Sequence, residues 1–281
     1  MAILFATLAA ACYGLSDFVG GVLSRRASPW SVAVAGQFGS VIFTSLVALA
    51  MPGDPTAGDF AWAGLAGVGG GTGTAFLYRG LGSGRMSVVA PISAVTAALV
   101  PVIAGLAGGE RPALLAWIGI AVGLPGIWLV SSEPSDSTGA EGSASSNSGV
   151  VDGLLAGLGF GLMFATIGQV PDESGMWPLA LAQGSSVLSA LGLALIIRAD
   201  WVPRSRVGWL ALIAGPIGGM GALLFLLAAQ RGYLSISGVI ASLYPAATIL
   251  LAATLLRERI HAIQGLGLAL CAAAVSLVAL G

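Results

Sequence analysis

Long apolar runs separated by short polar breaks fill almost the whole of this 281-residue chain. A helix that crosses the hydrocarbon core of a membrane needs about 20 mostly apolar residues. Charged residues make up only 8% of the chain, against about 25% in a soluble domain. The sequence therefore predicts an all-α polytopic membrane protein in contact with the lipid bilayer. Its ten predicted spans are 2–22, 30–51, 60–80, 86–108, 112–131, 151–170, 176–197, 207–230, 233–256 and 261–280.

The same composition argues against several classes of function. All eleven basic residues are arginines, so the chain has neither a P-loop lysine nor a Schiff-base lysine. His261 is the one histidine, and Cys12 and Cys271 lie far apart, so neither a metal site nor a disulfide framework is expected. The net charge of −1 gives no sign of nucleic-acid binding, and the common motifs of enzymes are missing. We therefore expect no enzyme, no cofactor, no metal and no nucleic-acid partner.

One break is much longer than the others. The stretch EPSDSTGAEGSASSNSG, 133–149, is rich in serine and glycine, which is typical of a flexible linker. We predict a first five-helix repeat at 1–131, a linker at 132–150 and a second repeat at 151–281.

A shift of 148 residues supports this division. It lays Glu110 and Arg111 on Glu258 and Arg259, and glycines and serines match around them. Because each half has five spans, the second half enters the membrane upside down relative to the first. Inverted repeats that enclose a site near the midplane are typical of secondary transporters. The predicted fold is therefore ten transmembrane helices arranged as two inverted five-helix repeats.

Several motifs resemble those of one known family. They are YGLSDF in the first span, the stretch from Tyr78–Arg79 through SVVAPISA to GERP, and RGYLSISGVIASLYP followed by LLRERI. The chain is similar in both halves to the EamA type of the drug/metabolite transporter superfamily. The resemblance implies ten helices and a central cavity lined mainly by the first, third, fourth, sixth, eighth and ninth. Members import or export amino acids, other metabolites, nucleotide sugars or drugs, and the motifs do not specify the substrate.

The orientation of the chain in the membrane stays open. Nine of the eleven arginines lie in or beside the odd-numbered loops. By the positive-inside rule these loops are cytoplasmic and both termini lie outside. The family resemblance implies the opposite orientation, with both termini inside.

Asp17 stands out among the apolar residues of the first span. A charged side chain near the middle of a spanning helix carries an insertion penalty of about 2.5–3.5 kcal/mol, so it usually faces a cavity or a partner. No other acid is expected inside the membrane. Two interpretations stay open. Asp17 is either a carboxylate that couples proton or substrate movement, or a structural carboxylate paired with Arg25, Arg79 or Arg85.

Other polar side chains are candidates for the same cavity. Hydroxyl groups recur at helical spacing in the fourth and ninth spans, and prolines there predict helix breaks, since proline removes a backbone hydrogen bond. The alternative is that membrane helices simply tolerate these residues. The predicted helix breaks or hinges are Pro91 and Pro245. The predicted substrate-binding residues are Tyr13, Asp17, Tyr78, Ser93, Thr96, Ser237, Tyr244 and Thr248.

Glycines and amides in other spans have a simpler explanation. Small residues four apart, as in Gly67–Gly71 and Gly215–Gly219, permit close helix packing. Gln37 and Gln183 match under the repeat and predict hydrogen bonds between helices.

The sequence thus predicts a secondary transporter for a small metabolite, amino acid-like or another organic solute, in the cytoplasmic membrane. We expect alternating access in which one repeat rocks against the other, with Asp17 as the proton-coupling candidate. One alternative is an uncoupled exchanger or facilitator. The other is a lipid-handling membrane protein without a soluble substrate. The sequence does not specify direction, coupling ion or oligomeric state.

Overall fold

A computed structural model describes residues 1–82, 86–132, 146–255 and 260–280, except for the side chains of 86–87 and 146–148. Regular structure in these ranges is helical. The helices are α1 Ala2–Ser24, α2 Pro29–Ala50, α3 Ala57–Gly82, α4 Met86–Ala107, α5 Leu114–Ser131, α6 Ser146–Ile167, α7 Trp177–Ile196, α8 Arg206–Ala229, α9 Leu234–Ala241, α10 Tyr244–Leu255 and α11 Ala262–Leu280. Between α6 and α7 lies a short 3-10 turn, Asp172–Ser174.

The helices match the ten predicted spans closely. Within the described ranges, nine segments are long and apolar enough to cross a membrane, with α9 and α10 counted together. The tenth span, α3, has 26 residues but is less apolar because nine of them are glycine. Most of the predicted linker lies outside the described residues, but its last part was assigned wrongly, since α6 already begins at Ser146.

The ninth span is divided just before Pro245. Helix α9 ends at Ala241, and α10 begins at Tyr244. Across the turn, the N–H groups of Leu243 and Ala246 donate to carbonyls three residues earlier, so the backbone stays satisfied at the break. In contrast, α4 runs without interruption through Pro91. Pro91 lies in the second turn of α4, where one missing backbone bond need not end the helix.

Helix packing follows the symmetry expected of inverted repeats. A two-fold axis in the membrane plane would exchange the first half with the second. It would map the α3–α6 contact onto the α1–α8 contact, and the α2–α8 contact onto the α3–α7 contact. It would also map the α4–α6 contact onto the contact of α1 with the α9–α10 pair, and the α5–α11 contact onto itself. All these contacts are present, so the fold is a pair of interlocked inverted five-helix repeats.

This interlocking bears on which helices are expected to move together. The most extensive helix contacts run between the halves. They join two mixed groups of helices and, apart from these, pair α5 with α11, while α2 with α7 and α4 with α9 make smaller contacts between the two groups. Block A consists of α3, α4, α6 and α7, and block B consists of α1, α2, α8, α9 and α10. The expected rocking of one repeat as a unit against the other stays a prediction, and this packing argues against it. Such a motion would break the α3–α6 and α1–α8 contacts, whereas movement of block A against block B would keep them.

One membrane face is closed by both apolar and polar contacts. We call it the terminal face, because α1 begins there and α11 ends there; the other is the opposite face. The apolar contacts include the rings of Phe164 in block A and Phe225 in block B, whose centroids lie 4.5 Å apart. Ile167, Val170, Met176 and Leu179 are buried in the same cluster. The terminal end of the bundle is thus filled with packed side chains.

Polar contacts join the loops on the terminal face. The Ser174 hydroxyl donates to Oδ2 of Asp59 at 2.8 Å, and the same oxygen accepts from the N–H of Thr56 at 2.7 Å. Beside them, the Asp54 N–H donates to the Glu173 carbonyl at 2.9 Å. These bonds tie the α2–α3 loop to the α6–α7 connection.

Glu110 forms a further link at the terminal face. Its carboxylate, in the α4–α5 loop, accepts hydrogen bonds from the backbone N–H groups of Leu234 and Ser235, at 2.5 and 3.0 Å. These N–H groups begin α9 and have no partner within the helix. Gly105 permits the approach, since a Cβ there would lie 2.2 Å from a Glu110 carboxylate oxygen. Glu110 therefore caps α9 from the other half of the chain.

We expect Glu110→Gln to lower the thermal stability of the purified protein. The substitution replaces two charge-assisted hydrogen bonds with at most one neutral acceptor, a loss of about 1–3 kcal/mol. The matched control is Glu173→Gln, because Glu173 is an exposed acid on the same face. Unfolding temperatures in one detergent provide the measurement. Equal shifts for the two variants would contradict the capping role.

Candidate functional site

A cavity of about 70 Å³ lies between block A and block B. It reaches from Tyr13, near the middle of α1, toward Leu23 and Val32 near the opposite face. Its volume is enough for several water molecules, since one needs about 10–15 Å³. The polar side chains in its wall include Ser16, Asp17, Gln37, Thr74, Gln183 and Ser186. The cavity therefore has several polar side chains in an otherwise mostly apolar wall, inside a bundle whose terminal face is closed.

Asp17 lies at the junction of this cavity with a second one. The second cavity, of about 30 Å³, is mostly apolar and lies among α1, α3, α4, α5 and α10. Asp17 and Tyr244 line both spaces. Seven residues separate Asp17 from the end of α1 at Ser24, which corresponds to about two helical turns. The carboxylate therefore lies inside the span, nearer its C-terminal end.

The arginine partners considered for Asp17 are engaged elsewhere or lie apart. Among the described residues, no arginine comes within ion-pair distance of the Asp17 carboxylate. Arg79 pairs with Asp152 instead, and its guanidinium lies 4.6 Å from the centroid of the Phe76 ring. Arg85 lies outside the described residues. Asp17 thus faces the cavity without a cationic side chain beside it in the described part of the bundle.

Three tyrosines line the larger cavity together with Asp17: Tyr13, Tyr78 and Tyr244. Glycines make room for their rings. A Cβ at Gly20 would lie 2.2 Å from the Tyr78 hydroxyl, and one at Gly221 would lie 2.9 Å from the Tyr13 ring. The buried Tyr13 hydroxyl has no hydrogen-bond partner among the described residues. Glycine packing therefore shapes an aromatic wall around the carboxylate.

The tyrosine of the divided span is held by both α1 and α4. The Tyr244 hydroxyl lies 3.4 Å from Oγ of Ser93. A Cβ at Gly14 would lie only 2.5 Å from the Tyr244 carbonyl oxygen. Thr248 donates to the Gly14 carbonyl at 3.0 Å. The close approach of α10 to α1 therefore depends on the glycine in the YGLSDF motif.

The predicted binding residues fall into two groups. Tyr13, Asp17, Tyr78 and Tyr244 line the larger cavity, and Thr248 lines the smaller one. Ser93, Thr96 and Ser237 line neither of these two cavities and lie in helix contacts. The substrate-binding role of all eight residues stays a prediction.

Sequence reasoning missed several residues of the cavity wall. Phe160 and Phe164 contribute rings from α6, and the Phe160 ring lies 6.3 Å from that of Tyr244. Gln37 and Gln183 were explained only as interhelical amides. The Gln37 amide does donate to the Thr74 hydroxyl at 3.0 Å, but both glutamines also line the cavity. Their match under the repeat was the one available signal.

A fully buried acid in α6 shows that the expectation of no further intramembrane acid is wrong. Asp152, in the second turn of α6, is fully buried, so Asp17 is not the only acid inside the bundle. Its Oδ1 accepts hydrogen bonds from the guanidinium of Arg79 at the end of α3. The positive-inside count assigned Arg79 to an odd-numbered loop from its place at the end of the predicted span 60–80, whereas α3 continues to Gly82. The pair joins the two halves of the chain within block A.

We expect Arg79→Gln to destabilise the protein by roughly 1–3 kcal/mol, because it removes the guanidinium from a buried carboxylate. The matched control is Arg204→Gln. Arg204 pairs with Asp200 at 3.4 Å, but both side chains are exposed, and such pairs contribute little. Thermal unfolding of both variants in the same detergent provides the measurement. A control variant that loses as much stability as Arg79→Gln would contradict the assignment.

The chain is similar to known proteins in both sequence and fold. The chain matches the EamA-like transporter family over residues 1–132 and 147–280. The comparison with curated proteins gives no match. A solved crystal structure, described only as that of a protein, is similar with a TM-score of 0.69 and 18% sequence identity. The similarity covers 99% of this chain and 96% of that one, which supports the fold.

Proposed function

Because the chain belongs to the EamA-like transporter family, we propose that this membrane transporter of small solutes moves its substrate through the Asp17 cavity. The proposed substrate is a small polar or amphipathic metabolite, and the proposed location is the cytoplasmic membrane. The observation that carries the proposal is the position of Asp17. Its carboxylate lines two cavities inside the bundle and has no arginine beside it among the described residues.

The proposed mechanism is alternating access by movement of block A against block B. The cavity wall draws on both blocks, with Asp17 and Gln37 from block B and Tyr78 and Phe160 from block A. In the present arrangement the cavity reaches toward the opposite face, while the Phe164–Phe225 contact fills the terminal end. Opening toward the terminal face would separate these rings and release bonds such as Ser174 to Asp59. Inverted-repeat transporters alternate around a central site in this manner.

We assign proton or substrate coupling to Asp17. A charged carboxylate away from water is costly unless a proton, a cation or hydrogen bonds neutralise it. Proton binding to Asp17 therefore changes the affinity for the substrate, and substrate binding changes the affinity for the proton. The alternative within transport is an uncoupled exchanger or facilitator, in which Asp17 has a structural role only.

A lipid-handling protein without a soluble substrate is the alternative from another class. The polar side chains in the larger cavity, among them Gln37, Thr74 and Gln183, favour a hydrophilic solute instead. Apolar lipid chains gain nothing from such groups, which would lose hydrogen bonds to water on contact with them.

The direct test is solute flux in proteoliposomes. The purified protein is reconstituted, loaded with a panel of labelled amino acids, amines and organic acids, and compared with protein-free vesicles. The proposal predicts flux of at least one hydrophilic solute that requires the protein and saturates with concentration. Absence of flux for the whole panel, with lipid scrambling present, would support the lipid-handling alternative.

A further inference from the structure

Among the described residues, Asp17 is the one charged side chain that lines either of the two cavities around it. The remaining polar groups in the larger cavity are hydroxyls and amides, such as those of Ser16, Thr74 and Gln183. They are neutral, so they do not offset the carboxylate charge. Within the described residues, the lining therefore carries a single formal charge, which is negative whenever Asp17 is ionised.

Arg79, the arginine of α3, is half-buried and already paired with a carboxylate. The guanidinium of Arg79 bonds to Asp152 and lies over the Phe76 ring, and Arg79 is not part of either cavity wall. In the described residues, the fully buried Asp152 carboxylate is thus paired with an arginine, whereas the half-buried Asp17 carboxylate faces open space. A substrate that brings its own positive charge would supply the missing partner.

Aromatic rings form much of the remaining wall. Tyr13, Tyr78, Phe160, Phe164 and Tyr244 all line the larger cavity. The Tyr13 and Phe164 rings are neighbours, with their centroids 5.7 Å apart. The negative face of an aromatic ring attracts cations, and cages of such rings bind quaternary ammonium groups. Carboxylate and rings together therefore match one ligand chemistry.

We propose that the Asp17 cavity selects small organic cations, namely compounds with an ammonium group that fits between Asp17 and the aromatic wall. This inference rests on the proposed transport through that cavity and narrows its substrate class. An anionic solute would meet the Asp17 charge without a compensating cation. A neutral solute would leave the carboxylate unpaired.

The test compares cations with neutral compounds of the same shape. Choline is paired with 3,3-dimethyl-1-butanol, and ethanolammonium with 1-propanol. Binding to the purified protein is measured by calorimetry, with thermal shift as a second readout, for wild type, Asp17→Asn and Asp17→Glu. Asp200→Asn is the matched control, because Asp200 is an exposed acid paired with Arg204 away from the cavity. Size-exclusion profiles check that each variant is folded.

We expect at least one cation to bind wild type and Asp200→Asn at least about tenfold more tightly than its neutral counterpart. Asp17→Asn should lose that preference, and Asp17→Glu should keep it, because the charge is retained. Equal binding of cation and neutral isostere, binding of neither cation, or an unchanged preference in Asp17→Asn would each overturn the inference. Saturable flux of neutral or anionic solutes alone would reject cation selectivity while leaving the proposed transport function intact.

Discussion

Asp17→Asn is expected to abolish the pH dependence of solute flux. Asparagine has nearly the shape of aspartate, but it binds no proton in the working range. Hydrogen bonds to a charged group stabilise by about 1.5–3 kcal/mol, so flux at limiting solute concentration should also fall by about 10–100-fold. The measurement is proteoliposome flux at about pH 6 and about pH 8, a range in which perturbed carboxyl groups titrate.

The comparison needs an acid that lies far from the cavity. Asp200→Asn serves, since Asp200 is exposed and pairs with Arg204. We expect the control to keep both the rate and the pH profile of wild type. If Asp17→Asn retains the wild-type pH profile, Asp17 does not couple protons, and the uncoupled exchanger or facilitator becomes the better description.

Gly67→Ala should have a large structural effect, because α3 packs closely on α7 at this position. A Cβ at Gly67 would lie 2.1 Å from the Ala182 carbonyl oxygen and 2.4 Å from the Ser185 Cβ. The same surface holds a hydrogen bond, because the Ser186 hydroxyl donates to the Gly67 carbonyl at 2.9 Å. Overpacking of this kind costs about 1–3 kcal/mol. Since Ser186 lines the cavity, displacement of α7 should also reduce flux.

Gly64→Ala is the matched control, one turn earlier in α3. A Cβ there meets no atom within 4 Å. Alanine is favoured over glycine inside a helix by about 0.5–1 kcal/mol, so this variant should be as stable as wild type or more so. Unfolding temperatures of the two variants, measured in one detergent, should move in different directions. Similar shifts for Gly64→Ala and Gly67→Ala would contradict the close packing of α3 on α7.

The spans could be predicted because each is encoded locally. A membrane helix needs its own run of about 20 apolar residues, so counting runs amounts to counting helices. The Glu-Arg pairs at Glu110 and Glu258 then revealed the repeat. The interlocking of the halves was not predictable in this way. A nearly all-apolar span gives little indication of which neighbour it contacts, and α3 and α6 meet across 73 residues at the Arg79–Asp152 pair.

The site was partly predictable for a related reason. Asp17 is conspicuous because a carboxylate is rare inside a membrane span, and its place beside a cavity follows from the cost of burying charge. Phe160 and Gln183 are ordinary residues in such spans, so only the three-dimensional structure brings them to the same wall. The two prolines show the same limit, since α4 continues through Pro91 whereas the ninth span is divided before Pro245.

The central claim is that the space around Asp17 is a solute pathway reached by water. Thiol accessibility tests it most directly, with single cysteines placed after Cys12 and Cys271 have been replaced by alanine. Ser16→Cys lies in the cavity wall beside Asp17, and Ser235→Cys is the matched control, since Ser235 is fully buried and lines neither cavity. We predict that a membrane-impermeant thiol reagent labels Ser16→Cys, more slowly when a transported solute is present, and leaves Ser235→Cys unmodified. Protection of Ser16→Cys from the reagent on both faces of the membrane, in the presence and absence of solute, would contradict the account.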